Sequence, residues 1–131
     1  MEEKTFTEVK NLKPGRYVLI DGVPCTVTNI QISRPGKHGA AKARVEAVGV
    51  FDGQKRVIVK PSGDKISVPI INKKSAQVIS ISGDIAQLMD VETYEMFDAK
   101  IPDEIKDKIK EGGEVITWRF GNLVMINGVK Q

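Results

Sequence analysis

Apolar and polar side chains alternate along much of this chain, most clearly over Thr26-Val27-Thr28-Asn29-Ile30-Gln31-Ile32. A period of two puts successive side chains on opposite faces of a strand. Runs of this kind predict strands over Tyr17 to Asp21, Cys25 to Ser33, Ala43 to Phe51, Arg56 to Lys60 and Lys65 to Ile70. Asp21-Gly22, Asp52-Gly53 and Ser62-Gly63-Asp64 separate them as turns. A second series follows over Ala76 to Ser82, Ile85 to Asp90, Thr93 to Ala99, Glu114 to Phe120 and Leu123 to Asn127, with turns at Ser82-Gly83-Asp84 and Gly121-Asn122. One short helix is predicted over Asp103 to Glu111, preceded by Pro102, capped by Asp103, with Ile105 and Ile109 on one face and Gly112-Gly113 ending it.

Two sets of five short strands in 131 residues favour two small β domains over a single larger one. The boundary is expected where a strand gives way to Asn72-Lys73-Lys74, dividing the chain into 1–71 and 72–131. Five strands suit an SH3-like barrel in the first half; five strands interrupted by one helix suit an OB-like barrel in the second. Periodicity alone establishes neither topology. The first few residues and the 33–42 loop are expected to be mobile, because glycines and like charges leave little to bury there.

Charge changes this picture. The net charge is +3, but residues 1–71 carry 12 Lys and Arg against 7 Asp and Glu, whereas residues 72–131 carry 8 against 10. A polyanion such as RNA is drawn first to the amino-terminal half, through an attraction that salt weakens. Apolar residues make up 40% of the chain and charged residues 28%, an ordinary globular balance, and no apolar run approaches a membrane span. The opening Met1-Glu2-Glu3-Lys4 is acidic and polar, unlike an export signal, so a cytoplasmic location is expected.

Catalytic chemistry finds little support. Cys25 is the single cysteine, so an internal disulfide and a thiolate zinc cluster are both excluded. Set among Val23, Pro24 and Val27, it reads as a small core side chain. Pairing it with the lone His38 yields no triad. Asp103 and Glu104 read as first-turn helix charges, and no P-loop or dinucleotide pattern implies a nucleotide cofactor.

The densest signal is Ser33-Arg34-Pro35-Gly36-Lys37-His38-Gly39-Ala40-Ala41-Lys42-Ala43-Arg44. No Asp or Glu occurs from Gly22 to Val45, while Arg34, Lys37, Lys42 and Arg44 are cationic and His38 is titratable. Pro35-Gly36 signals a turn, and Gly36 and Gly39 remove bulk on either side of Lys37. On charge alone, the loop is either a solvated surface or a phosphate contact.

Pro35-Gly36-Lys37-His38-Gly39 followed by Ala41-Lys42-Ala43-Arg44 resembles the hypusine loop of the translation factor 5A family in its archaeal form, a family related to bacterial elongation factor P. Leu12-Lys13-Pro14-Gly15, Ile20-Asp21-Gly22-Val23-Pro24-Cys25, Val68-Pro69-Ile70-Ile71 and Met89-Asp90-Val91-Glu92-Thr93-Tyr94-Glu95 extend the resemblance over most of the chain. Some family members carry Thr where this chain has Pro35. The resemblance implies an SH3-like domain carrying the loop and an OB-fold domain behind it. It implies that deoxyhypusine synthase transfers the aminobutyl group of spermidine to Lys37, giving deoxyhypusine or hypusine. It further implies action on the ribosome beside peptidyl-tRNA and ribosomal RNA, promoting peptide-bond formation where proline runs stall it. Arg34, Lys42 and Arg44 would then hold phosphates around the arm, with His38 stacking on a nucleotide or bonding the loop, and Lys73, Lys74 and Arg119 as further basic positions. A generic RNA-binding module needs the same cations but no modification.

Overall fold

The computed structural model describes residues 3–34 and 41–130 and builds them into antiparallel strands joined mostly by tight turns. The chain divides into two compact units, one ending at Ile70 and the other beginning at Ile71. Both are curled sheets, an SH3-like barrel followed by an OB-like barrel.

The first unit holds β1 (Glu3–Glu8), a 3-10 turn (Val9–Asn11), β2 (Tyr17–Ile20), β3 (Val23–Ser33), β4 (Lys42–Gly49), β5 (Lys55–Pro61) and β6 (Lys65–Ile70). Strands β2-β3-β4-β5 form one sheet in that order, and β1 pairs with β6 from Glu3↔Ile70 to Glu8↔Lys65. The sequence pattern predicts no strand before Tyr17 and a mobile first few residues, whereas Glu3–Glu8 forms β1. Its side chains are largely charged or exposed, so no apolar alternation announces it, and its order comes from backbone pairing with a strand some sixty residues on. Asp21 and Gly22, with φ of 53° and 77°, make the two-residue turn between β2 and β3, the geometry that Asp-Gly favours. A bulge between Val27 and Asn29 bends β3 so that Val18, Ile20, Val27, Val45 and Ala47 close on one core. Cys25 lies in that core with no exposed surface, its Sγ 3.4 Å from the Val23 carbonyl; burial, opposed by Arg56, raises its thiol pKa. The thiol packs, as the sequence suggested.

The turn from β4 to β5 is closed by a side-chain clamp. Arg56 donates from Nη2 to Asp52 Oδ2 at 2.8 Å and from Nη1 to Oδ1 at 3.2 Å, while the Gln54 amide donates to Oδ1 at 3.0 Å. These bonds, led by the guanidinium, pull the Asp52 carboxyl down to about 2. A folded-state value below the ordinary one means that the clamp contributes fully at neutral pH and is lost as pH falls through about 2. Asp52→Asn is therefore expected to flatten acid unfolding below pH 4. Gly49 leaves room for this clamp: a Cβ there would overlap Asp52 Oδ1 and lie 2.8 Å from Arg56 Nη1. Gly49→Ala is expected to cost about 1–3 kcal/mol by overpacking, read as a lower thermal midpoint of the first unit.

The second unit holds β7 (Asn72–Ser82), β8 (Ile85–Asp90), β9 (Met96–Lys100), a 3-10 turn (Asp103–Ile105), β10 (Glu114–Phe120) and β11 (Leu123–Lys130), in sheet order β11-β10-β7-β8-β9. Its core gathers Val78, Leu88, Ile101, Val115 and Ile126. The helix expected over Asp103 to Glu111 is not formed: only Asp103–Ile105 is helical, as a 3-10 turn, and the chain continues in turns. Pro102, not Asp103, occupies the cap position with no side-chain cap bond, and the Asp103 carboxylate instead meets Lys106 Nζ at 3.0 Å. Ile105 and Ile109 do face the core, as their spacing predicted. A segment this short cannot repay helix nucleation, so packing of those two side chains sets its path. The strand expected from Thr93 starts instead at Met96, because the amides of Glu92 and Thr93 turn back onto the Asp90 carboxylate and that of Tyr94 onto its carbonyl. No helix among the described residues is long and apolar enough to cross a membrane.

Candidate nucleic-acid interface

Strands β3 and β4 run antiparallel in the register Asn29↔Glu46, Gln31↔Arg44 and Ser33↔Lys42, so residues 34–41 connect them beyond the Ser33–Lys42 pair. Pro35, Gly36, Lys37, His38 and Gly39 lie outside the described residues. Arg34 is exposed at one end of this connection, and Lys42, exposed at the start of β4, stands at the other. The amide of Ser62 donates to the Ala41 carbonyl at 2.9 Å, and the Lys10 amide donates to the Ser62 carbonyl at 2.9 Å. The base of the connection is thereby tied through the β5–β6 turn to the 3-10 turn after β1, an anchorage that nothing local in the sequence announces.

Alternation along β4 buries Ala43, Val45 and Ala47 and turns Lys42, Arg44 and Glu46 outward. Arg44 is consequently less available than its place in an acid-free run suggested. Its Nη1 donates to Glu46 Oε1 at 2.8 Å, and Asn29 Nδ2 donates to Glu46 Oε2 at 3.0 Å. The Asn29 bond first and the Arg44 bond second hold the Glu46 carboxyl below its ordinary value. Glu46 is the first acid after the acid-free run, and it stands two residues from Arg44, which in a strand is the same face. That spacing was the readable signal. The pair is solvent-exposed and weakly held, so a phosphate can compete for the guanidinium.

Lys73, Lys74 and Arg119, the basic positions considered in the second unit, each have a partner. Lys73 Nζ stands 4.2 Å from the Trp118 ring centroid, a cation–π contact. Lys74 Nζ lies 3.9 Å from Asp90 Oδ2 and 3.7 Å from Glu92 Oε2. Arg119 pairs with Glu95 and stacks over Phe97 at 4.5 Å. Lys74, Asp90, Glu95 and Arg119 line a cavity of roughly 220 Å³ in which acids balance bases, so the phosphate role considered for Lys74 and Arg119 has charged competitors already in place.

Comparison with known proteins gives consistent results. A family model described as translation initiation factor 5A-like, N-terminal, matches residues 3–64, and one described as eukaryotic elongation factor 5A hypusine, DNA-binding OB fold, matches residues 70–118. The chain is 53% identical over 134 residues to translation initiation factor 5A of Pyrococcus furiosus, covering 99% of this chain and 97% of that one. It is 59% identical over 112 residues to translation initiation factor 5A of Methanosarcina mazei, covering 86% and 88%. Among solved structures, the factor 5A of Methanococcus jannaschii superposes with a TM-score of 0.85 at 42% identity, covering 97% of this chain and 95% of that one. A factor 5A family protein of Naegleria fowleri gives a TM-score of 0.76 at 31% identity, covering 98% and 99%.

Proposed function

This chain belongs to the translation initiation factor 5A family, and from that premise we propose that it is a translation factor acting in the cytoplasm, on the ribosome beside peptidyl-tRNA, through a modified Lys37. The observation that carries this reading is the eight-residue connection between Ser33 and Lys42, free of acids, carrying Lys37 between two glycines and flanked by exposed Arg34 and Lys42. On this reading, domain 1–71 presents the loop and domain 72–131 orients it. Deoxyhypusine synthase adds the aminobutyl group of spermidine to Lys37, converting a four-carbon ammonium stem into an arm about twice as long that is still thin and cationic. Arg34, Lys42 and Arg44 contact backbone phosphates, His38 supports the arm or a nucleotide, and Pro35, Gly36 and Gly39 shape the turn.

The peptide bond is made by ribosomal RNA; the factor supplies position. A proline-rich nascent chain disfavours the attack geometry, and cationic contacts that restrain the acceptor end of the tRNA reduce the entropy lost in reaching it. Lys37 acts as a spacer and a charge, with no role as a base. The test is mass measurement of the intact protein from its native host, followed by peptide mapping. The expected result is an added aminobutyl group, hydroxylated or not, on Lys37 alone. Unmodified Lys37 in protein that fully stimulates proline-run synthesis would leave a generic RNA-binding module as the better account.

A further inference from the structure

The first unit has a second cationic feature, separate from the loop. A trough of roughly 370 Å³ opens between the β2–β3 turn, β5 and β6, a size within the ordinary range of small-ligand sites. Lys4 of β1, Lys60 of β5 and Lys65 of β6 line it, together with Asp21 over a floor that includes Ile20 and Ile66. Among the described residues none of these three lysines makes an ion pair, whereas Lys10, Arg44 and Arg56 of the same unit each hold a carboxylate. Three unneutralised ammonium groups beside a single acid leave the trough short of negative charge. An anion entering it replaces mutual repulsion with attraction.

The backbone that carries these lysines is braced. Lys60 and Lys65 flank the β5–β6 turn, where the Ser62 amide donates to the Ala41 carbonyl at 2.9 Å and the Val9 amide donates to the Asp64 carbonyl at 2.9 Å. Lys4 is carried on β1 opposite Pro69 of β6. The same turn that braces Ala41 at the end of the loop connection is therefore flanked by two of the three lysines. The apolar floor gives a sugar or base a surface to cover. The Asp21 carboxylate, an acceptor on the rim, favours a ligand that carries a hydroxyl beside its phosphate, as ribose does.

We propose that the trough formed by Lys4, Lys60 and Lys65 is a second phosphate-binding site, which takes a backbone nucleotide of the same RNA that the loop approaches. This rests on the reading of the protein as a factor that contacts RNA. The three lysines are exposed and their loss removes no core contact, so Lys4→Gln/Lys60→Gln/Lys65→Gln retains the thermal midpoint of the parent.

The test is fluorescence anisotropy with a labelled RNA minihelix that carries an acceptor stem and a CCA end, titrated across a series of KCl concentrations. The trough variant is expected to bind at least about tenfold more weakly and to lower the slope of log affinity against log salt by roughly 0.7–0.9, the share of the one phosphate contact it loses. A charge-matched control, Lys100→Gln/Lys106→Gln/Lys108→Gln in the second unit, is expected to change affinity less than threefold. In the unaltered protein, amide shifts at Gly22, Ile58 and Ser67 on adding the minihelix would locate binding in the trough without any variant. Equal weakening by trough and control variants, or none by either, overturns the site. So does displacement of the minihelix by sub-millimolar AMP, which would assign the trough to a free nucleotide. Absence of salt-dependent RNA binding by the unaltered protein would instead count against the functional reading itself.

Discussion

Lys37→Arg is expected to reduce proline-run synthesis to the rate without the factor, a loss on the order of tenfold or more, equivalent to about 1.4 kcal/mol or more of barrier lowering. RNA affinity and fold should persist. Arginine keeps the positive charge at every accessible pH, so phosphate attraction survives, but a guanidinium offers no primary amine to receive the aminobutyl group. The substitution thus separates charge from reach. Lys42→Gln, by contrast, removes a cation at the start of β4 and should weaken RNA binding severalfold, while stimulation at saturating factor is retained. The measurement is peptide-bond formation at consecutive prolines in a factor-depleted extract, using protein made in a host that carries the synthase. Equal rescue by unaltered protein and Lys37→Arg would refute the modified-arm mechanism and leave the cationic surface as the working part.

Asp90→Ala is expected to cost the second unit about 2–4 kcal/mol, since a buried carboxylate and the amides it satisfies lose each other together. Asp90 is 5% exposed, and its Oδ1 accepts from the amides of Glu92 at 2.8 Å and Thr93 at 3.1 Å. The Tyr94 amide donates to the Asp90 carbonyl at 2.8 Å, with Tyr94 at a φ of 63°. That left-handed backbone is tolerated because the surrounding bonds dictate it. The only tryptophan, Trp118, lies on β10, so its fluorescence during urea unfolding reports on this unit specifically. Asp90→Asn keeps one acceptor and should lose about half as much. Burial pushes the Asp90 carboxyl up, but the bonds from Glu92 and Thr93, with the charges of Lys74 and Arg119, outweigh it and hold the group below its ordinary value. A depressed folded-state value means this stabilisation is complete above about pH 4 and fades as acid protonates the folded carboxyl. Asp90→Asn should therefore unfold with a shallower dependence on acid below pH 4 than the parent does.

Local rules were strong where local forces decide. Asp21-Gly22 forms a turn because two consecutive positive φ values cost little there, and the alternation from Thr26 to Ile32 becomes β3 because one of its faces is buried. Ile105 and Ile109 were read as core side chains and are, although the helix inferred from them is replaced by a single 3-10 turn. Spacing reported which side chains turn inward; it could not weigh the nucleation cost of so short a helix. The opposite failure occurs at Glu3–Glu8, whose charged side chains conceal a strand ordered by its partner. At the candidate site, cations were legible one by one, while of the carboxylates that answer them only Glu46, two residues from Arg44, was within reach of local spacing. Lys74 and Asp90 are distant in sequence and 3.9 Å apart in space, and the pairing of Arg119 with Glu95 joins β10 to the segment between β8 and β9.

From the order of its residues alone, the chain determined two β units, the turns that shape them, and an acid-free, glycine-flanked lysine whose surroundings mark its family. Those properties depend on neighbours within a few positions, where backbone sterics and side-chain period act. Only the tertiary structure decided which charges remain available: it matches Arg44 with Glu46, balances Lys74 and Arg119 with acids, and gives Lys4, Lys60 and Lys65, around one trough, no ion pair among the described residues. The reason is the reach of the forces involved, since Coulomb attraction and hydrogen bonding fall away within a few ångströms in salt water and depend on distances that only the fold sets.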